Sequence, residues 1–164
     1  MILRPAAKGP TMEDTGAHAA RRLAERVRER MFANDHAARA LGMAVGEVGP
    51  GSAEITMTVR QDMINGHDIC HGGLVATLAD TAFAYACNSY NELTVASGFS
   101  IDLVAPARLG DLLTARCTEI SKAGRTGVYD VEISNQRGER IGVFRGRSYT
   151  LKGKPVVPSD GGDS

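Results

Sequence analysis

The chain has 164 residues, enough for one domain with a proper hydrophobic core. Apolar residues make up 43% and charged residues 23%, ordinary values for a soluble globular protein, so disorder is not the expectation. The formal net charge is zero and the pI is about 6.9, which argues against a surface built to coat nucleic acid.

Residues 1–14 read as an irregular, disordered extension, with a second methionine at Met12. From 15 to 34, Leu23, Val27 and Met31 recur at i, i+4 and i+8, which predicts an amphipathic helix packed by one edge. Arg21, Arg22, Arg26, Arg28, Arg30 and the later Arg39 interleave with Glu25 and Glu29, the pattern of a solvated, ion-paired face. Residues 41–48 form a first candidate strand. In 52–59, Ala53, Ile55, Met57 and Val59 alternate with polar residues, which predicts a half-buried antiparallel strand.

A polar loop at 65–71 leads into an Ala/Leu-rich helix predicted over 72–91. Thr77, Asp80, Thr81, Asn88 and Ser89 in that helix argue against a bilayer span. Four further strands follow, at 93–104, 112–121, 126–135 and 140–151, and then a Pro/Gly/Asp-rich flexible tail at 152–164. Residues 15–151 thus read as a single α+β domain, an antiparallel sheet whose one apolar face is covered by the long helix. Three cysteines without framework spacing, and no apolar signal core at the N-terminus, fit a cytoplasmic protein.

At 100° per residue the long helix separates into two faces. Leu74, Val75, Leu78, Ala79, Ala82, Tyr85 and Ala86 make a broad apolar face. Gly73, Ala76, Thr77, Asp80, Ala84 and Cys87 make a second face, whose uncharged members are all small. Asp80 is the one charge from residue 72 to 91. A carboxylate there calls for a reason, either a structural hydrogen bond to a neighbouring element or chemistry. At the helix start, Gly72 and Gly73 let a substrate oxygen approach unpaired N–H groups, a site for a developing oxyanion. The alternative is a glycine pair that merely makes a tight helix start. Gly72 and Asp80 lie eight residues apart, about 12 Å along one helix axis. One carbonyl cannot touch both. If both act on one bond, the carboxylate comes from a second, antiparallel copy of the helix.

N-G-H-x-x-C-H-G-G at 65–73 and the following L-A-D-T-A-F-A-Y-A-C-N-S resemble the signature of the phenylacetate-degradation thioesterases of the PaaI type. S-I-D-L-V-A-P-A-R-L-G-D, G-R-T-G-V-Y-D-V-E-I-S-N-Q and F-R-G-R-S-Y are similar to that family as well, so the resemblance covers roughly 34–151. It implies the hotdog fold, a sheet wrapped around one long helix, and a homotetramer of dimers. It also implies cleavage of phenylacetyl-CoA-type thioesters to free acid and coenzyme A in aerobic phenylacetate degradation. No metal or cofactor is implied, coenzyme A being part of the substrate. Position by position, the Gly72 amide would polarise the thioester carbonyl, with Asn65 and His71 lining the same pocket. Asp80 of the partner subunit would be the catalytic carboxylate, as nucleophile or as base. Gly73 and Thr81 would contact substrate.

The coenzyme A phosphates need cations, and Arg108, Lys122, Arg125, Arg145 and Arg147 are the candidates at strand ends or on the last strand. Asn65 either holds a water or, as part of Asn-Gly, builds a turn. A Cys70–His71 nucleophile pair is disfavoured because adjacent side chains rarely face one another. A metal site from His67, Asp68, Cys70 and His71 is disfavoured by its crowding. Competing functions are a non-catalytic acyl-CoA sensor, for which no helix-turn-helix pair is evident, and a hotdog hydroxyacyl-CoA dehydratase.

Overall fold

The computed structural model describes residues 12–158, with side chains from residue 15 onward. Helix α1 spans Met12–Asn34 and is followed by α2 at His36–Ala40. Strands β1 (Ala44–Gly49) and β2 (Ser52–Thr58) precede α3 (Gly72–Asn88). Strands β3 (Thr94–Leu103), β4 (Leu112–Ala123), β5 (Thr126–Ser134) and β6 (Arg140–Thr150) complete the chain. The strands make one antiparallel sheet in the order β1-β2-β4-β5-β6-β3.

The alternation seen in the sequence becomes a buried face. Ala53, Ile55 and Met57 of β2, Leu113 and Ala115 of β4, and Tyr129, Val131 and Ile133 of β5 point inward. Leu78, Ala79, Ala82 and Phe83 of α3 join them in one core. Alanines on α3 let the helix sit low on the sheet, and Phe83 fills the space this leaves on β6. Its ring lies against Gly146, where a Cβ would stand 2.9 Å from the ring carbons. Phe83 also meets Tyr129 and Phe144, with ring centroids 5.4 and 5.9 Å away. Truncating Phe83 to alanine is expected to cost about 3–5 kcal/mol, measured by denaturant unfolding.

Several boundaries differ from the sequence expectation, each for a local reason. Helix α1 begins at Met12, three residues before the predicted start; the rest of the expected extension, 1–11, lies outside the described residues. Asp35 caps α2 by accepting from the Ala38 N–H at 3.0 Å, an arrangement too short to show as a periodic pattern. Helix α3 stops at Asn88 instead of 91 because the Asn88 carboxamide turns to the following strand. It donates to the Thr94 carbonyl at 2.8 Å and accepts from the Thr94 N–H at 2.9 Å. Cys87 lies on the small face as expected, lining the same cavity as Asp80 and Ala84, and is buried there. The tail expected to be flexible from 152 is tied down as far as Val157 by hydrogen bonds from Leu93 and Asn91; residues 159–164 are outside the described part.

β3 lies at the end of the sheet, pairing with β6 along one side and, among the described residues, with no strand along the other. Its Val95, Phe99 and Leu103, with Val104 just beyond, remain 45%, 45%, 50% and 57% exposed. A long apolar edge of this kind is a template for pairing with another strand.

The loop after β3 is fixed by Asp111, which is 3% exposed. Its carboxylate accepts from the Arg108 N–H at 2.8 Å, Gln136 Nε2 at 3.1 Å and Arg137 Nη1 at 2.9 Å. Burial pushes its pKa up, but these donors outweigh burial and hold it below the ordinary carboxylate value. The contribution to stability is therefore full above that ordinary value and fades as pH falls through the lowered one. Asp111→Ala is expected to cost about 1–3 kcal/mol at neutral pH, with the deficit shrinking in acid.

Candidate active site

Two cavities flank α3, one at each end of the exposed strand. The first, about 390 Å³, is lined by Asn65, Cys70, Gly72 and Val75 together with 103–107 and Ile141. The second, about 340 Å³, is lined by Asp80, Phe83 and Ala84, with 93–96, Met31 and Val156. Strand β3 runs antiparallel to the helix. Its Thr94 end bonds Asn88, and Leu103 lies at the helix start, where a Cβ on Gly72 would stand 2.6 Å from Leu103 Cδ1.

At the first cavity the loop 65–71 presents the helix start. Asn65 N–H donates to the Ile69 carbonyl at 2.9 Å, and the Asn65 carbonyl accepts from Asp68 N–H at 3.1 Å. Its side-chain Oδ1 accepts from His67 N–H at 2.9 Å and Ile69 N–H at 3.4 Å. Asn65 thus builds the turn, and its Nδ2 donors remain for a ligand. His71 caps α3, its Nδ1 accepting from the Gly73 N–H at 3.2 Å. Gly73 is thereby occupied, while the Gly72 N–H has no acceptor among the described residues. One amide, at the positive end of the helix, is left to meet an oxyanion.

Neither alternative chemistry finds its geometry. Cys70 Sγ faces the His71 carbonyl at 3.8 Å while the imidazole Nδ1 faces Gly73, so thiol and ring do not engage each other. Burial raises the Cys70 pKa, which lowers its thiolate fraction. Among the described residues no three His, Cys, Asp or Glu side chains gather to hold a metal ion.

At the second cavity Asp80 is half-buried on the small-residue face. Desolvation alone raises its pKa, with no hydrogen-bond donor or cation set against it. Of its two readings from sequence, the structural hydrogen bond is absent among the described residues. A raised native pKa means the charged form destabilises the fold: the penalty is nil below the ordinary value of 3.8 and grows as pH rises through the raised one. Asp80→Asn is therefore expected to raise Tm at neutral pH, with the gain vanishing in strong acid. Thr81 Oγ1 donates to the Thr77 carbonyl at 2.8 Å, so its hydroxyl proton is already engaged within the helix.

The candidate phosphate cations divide. Lys122 pairs with Glu92 at 3.0 Å and lies 4.1 Å over the Tyr90 ring, and Arg145 makes two bonds to Asp130 at 2.6 and 2.7 Å. Arg125 donates to Tyr149 Oη at 3.1 Å, a neutral partner. Arg108, beside the first cavity, and Arg147, over Gly98, are exposed with no carboxylate partner among the described residues. Met31 and Val156 are also cavity walls: the helical periodicity marks Met31 only as a packing residue, and nothing in the Pro/Gly-rich tail marks Val156.

The geometry matches known proteins. The acyl-coenzyme A thioesterase PaaI of Escherichia coli strain K12 is 47% identical over 123 residues, 75% of this chain and 88% of that protein. The chain belongs to the thioesterase superfamily. Residues 67–141 match the family model of that description, a span that holds Gly72, Asp80 and the cavity walls of 103–107. The structure of the E. coli PaaI protein from the phenylacetic acid degradation operon superposes with a TM-score of 0.81 at 44% identity, covering 82% of this chain and 98% of that one. A mutant of the phenylacetic acid degradation protein PaaI from Thermus thermophilus superposes at 0.67 with 34% identity, covering 70% and 97%. As a thioesterase-superfamily member the chain has the hotdog fold, the sheet and helix expected from its motifs.

Proposed function

We propose that the protein hydrolyses acyl-CoA thioesters of the phenylacetyl type, in phenylacetate degradation, at two composite sites of a homodimer. The observation that carries this is Asp80, a half-buried carboxylate with no partner among the described residues, at the opposite end of the exposed strand from the unsatisfied Gly72 amide. Pairing β3 with its symmetry copy, antiparallel, would set the Thr94 end of one protomer against the Leu103 end of the other. Each Asp80 cavity then adjoins a Gly72 cavity of the second subunit, and the exposed apolar edge is covered. The names and identities of the E. coli and T. thermophilus relatives support the substrate class.

In each site the Gly72 N–H binds the thioester oxygen, and the Asn65 Nδ2 group and the His71 ring border the same space. Asp80 of the partner subunit removes a proton from water as it attacks the acyl carbon. The tetrahedral intermediate expels the coenzyme A thiolate, which recovers the proton. A thiol of pKa about 8.5 leaves without a strong general acid, so one base and one oxyanion donor suffice. A direct attack by the Asp80 carboxylate, which expels the coenzyme A thiolate and gives a mixed anhydride that water then opens to free acid and Asp80, is the second route. Single-turnover reaction in heavy-oxygen water separates them, because label in Asp80 marks the anhydride. Gly73 acts through the cap it makes with His71, and Thr81, its proton engaged by Thr77, as an acceptor one residue from Asp80. Arg108 and Arg147, followed by Arg125 and Lys122, serve the coenzyme A phosphates.

The reaction needs no metal or cofactor, so thiol release from phenylacetyl-CoA is expected to survive exhaustive chelation; loss on chelation and recovery with a divalent ion would overturn this. The proposal includes association of two dimers into a tetramer, supported by the exposed Ile120 and Tyr149 on β4 and β6. It also includes a cytoplasmic location, supported by three unpaired cysteines. No described helix is long and apolar enough to cross a membrane.

A further inference from the structure

The cavity beside Asp80 has an end wall that the hydrolytic chemistry does not require. Val156 forms part of it, and Val156 belongs to a strap laid along 91–93. Leu151 N–H donates to the Leu93 carbonyl and Leu93 N–H to the Lys154 carbonyl, both at 2.8 Å. Asn91 then grips the next peptide from both sides. Its Nδ2 donates to the Val157 carbonyl at 3.0 Å, and its Oδ1 accepts from the Val157 N–H at 2.8 Å. Asn91 holds this pose at φ 61, a left-handed conformation that asparagine tolerates better than most residues. Val157 is buried beneath the clasp.

We propose that this strap closes the acyl pocket, and that Val156, held in place by Asn91, sets how large an acyl group the enzyme accepts. The proposal rests on the thioester-hydrolase reading for the direction of the substrate. Asp80 is the one charged residue on the cavity wall, so the reacting carbonyl belongs beside it and the apolar part of the acyl group beyond it. The strap meets the residues just after α3, whose last residue, Asn88, is about 12 Å along the axis from Asp80. Between them the wall is mostly apolar, with Phe83, Leu93, Val95 and Ala96, and its polar members Asn88 and Thr94 are bonded to each other. Met31 and Val156 stand on elements outside the sheet. Of these two, Val156 lies on a segment held by two backbone bonds to Leu93 and one side-chain clasp, that of Asn91, so a change at Asn91 can shift it while the sheet and α3 stay in place. Asn91 is a positioning residue, acting through Val156 without touching substrate.

The test compares wild type with Val156→Ala, Val156→Phe and Asn91→Ala on two series of increasing length. One is acyl-CoA substrates from acetyl to decanoyl, including phenylacetyl, read as kcat/KM. The other is the matching S-alkyl-CoA thioethers, which cannot be hydrolysed, read as Kd. Val156→Ala and Asn91→Ala should each shift preference toward the longer members by about tenfold relative to acetyl, the worth of one or two methylenes in an apolar pocket. Val156→Phe should shift it the other way. A conservative Asn91→Asp replacement, which loses the Nδ2 donor, should fall between wild type and Asn91→Ala; a merely structural role would lower Tm and leave the length profile unmoved. Identical length profiles in all variants, by turnover and by binding, would overturn the proposal. A wild-type protein that hydrolyses nothing, while its thioether profile shifts as stated, would overturn the hydrolase reading and uphold the strap.

Discussion

Replacing Asp80 with alanine is expected to lower kcat/KM for phenylacetyl-CoA by about 10³-fold or more while the protein keeps its fold. The magnitude is that of a positioned general base or carboxylate nucleophile. The fold survives because the carboxylate makes no bond to the described residues and its charge is a liability there. Asp80→Asn, close to isosteric, should lose a similar amount of activity and gain stability at neutral pH, the opposite signs expected of a group kept for function. The acid limb of the wild-type kcat/KM profile should lie above the ordinary carboxylate value of 3.8, since desolvation raises the Asp80 pKa and only the ionised form works. Equal rates from wild type and Asp80→Ala would remove the residue from the mechanism.

The second large effect is expected at Gly72. A Cβ there meets Leu103 Cδ1 at 2.6 Å, the tip of a half-exposed side chain that can swing aside. The fold therefore tolerates substitution, but the new methyl groups of Gly72→Val enter the space in front of the amide. The thioester oxygen is then held away from its donor. Removal of one oxyanion donor costs about 10²- to 10³-fold in kcat, and that is the loss expected here, with Tm close to wild type. Gly73→Val should cost less, because the Gly73 amide is already engaged by His71.

Much of the fold, and the placement of the candidate site residues, is legible in the sequence, and the reasons are specific. β2 and β5 are half-buried, so their alternation survives in the sequence, and α3 is marked by an alanine-rich run with one charge. The isolation of Asp80 and its separation from Gly72 follow from helix geometry alone, which is why a two-chain site can be argued from one chain. What the sequence hides depends on single side-chain hydrogen bonds. Asp35 makes α2 out of five residues, Asn88 ends α3 early by turning to Thr94, and Asn91 pins a tail whose composition reads as free. None of these leaves a periodic trace. The division of the arginines and lysine is equally hidden, because pairing of Arg145 with Asp130 and Lys122 with Glu92 depends on strand register and turn placement.

The most direct test of the proposed shared site is subunit mixing. Asp80→Ala and Gly72→Val, each nearly inactive alone, are unfolded together, refolded at equal concentration and assayed for thiol release from phenylacetyl-CoA. A mixed dimer joins the intact Gly72 of one chain to the intact Asp80 of the other at one of its two sites, and random pairing makes half the dimers mixed. Activity should return to about a quarter of wild type. A mixture no more active than its two parents would show that each chain works with its own Gly72 and Asp80, and would contradict the account.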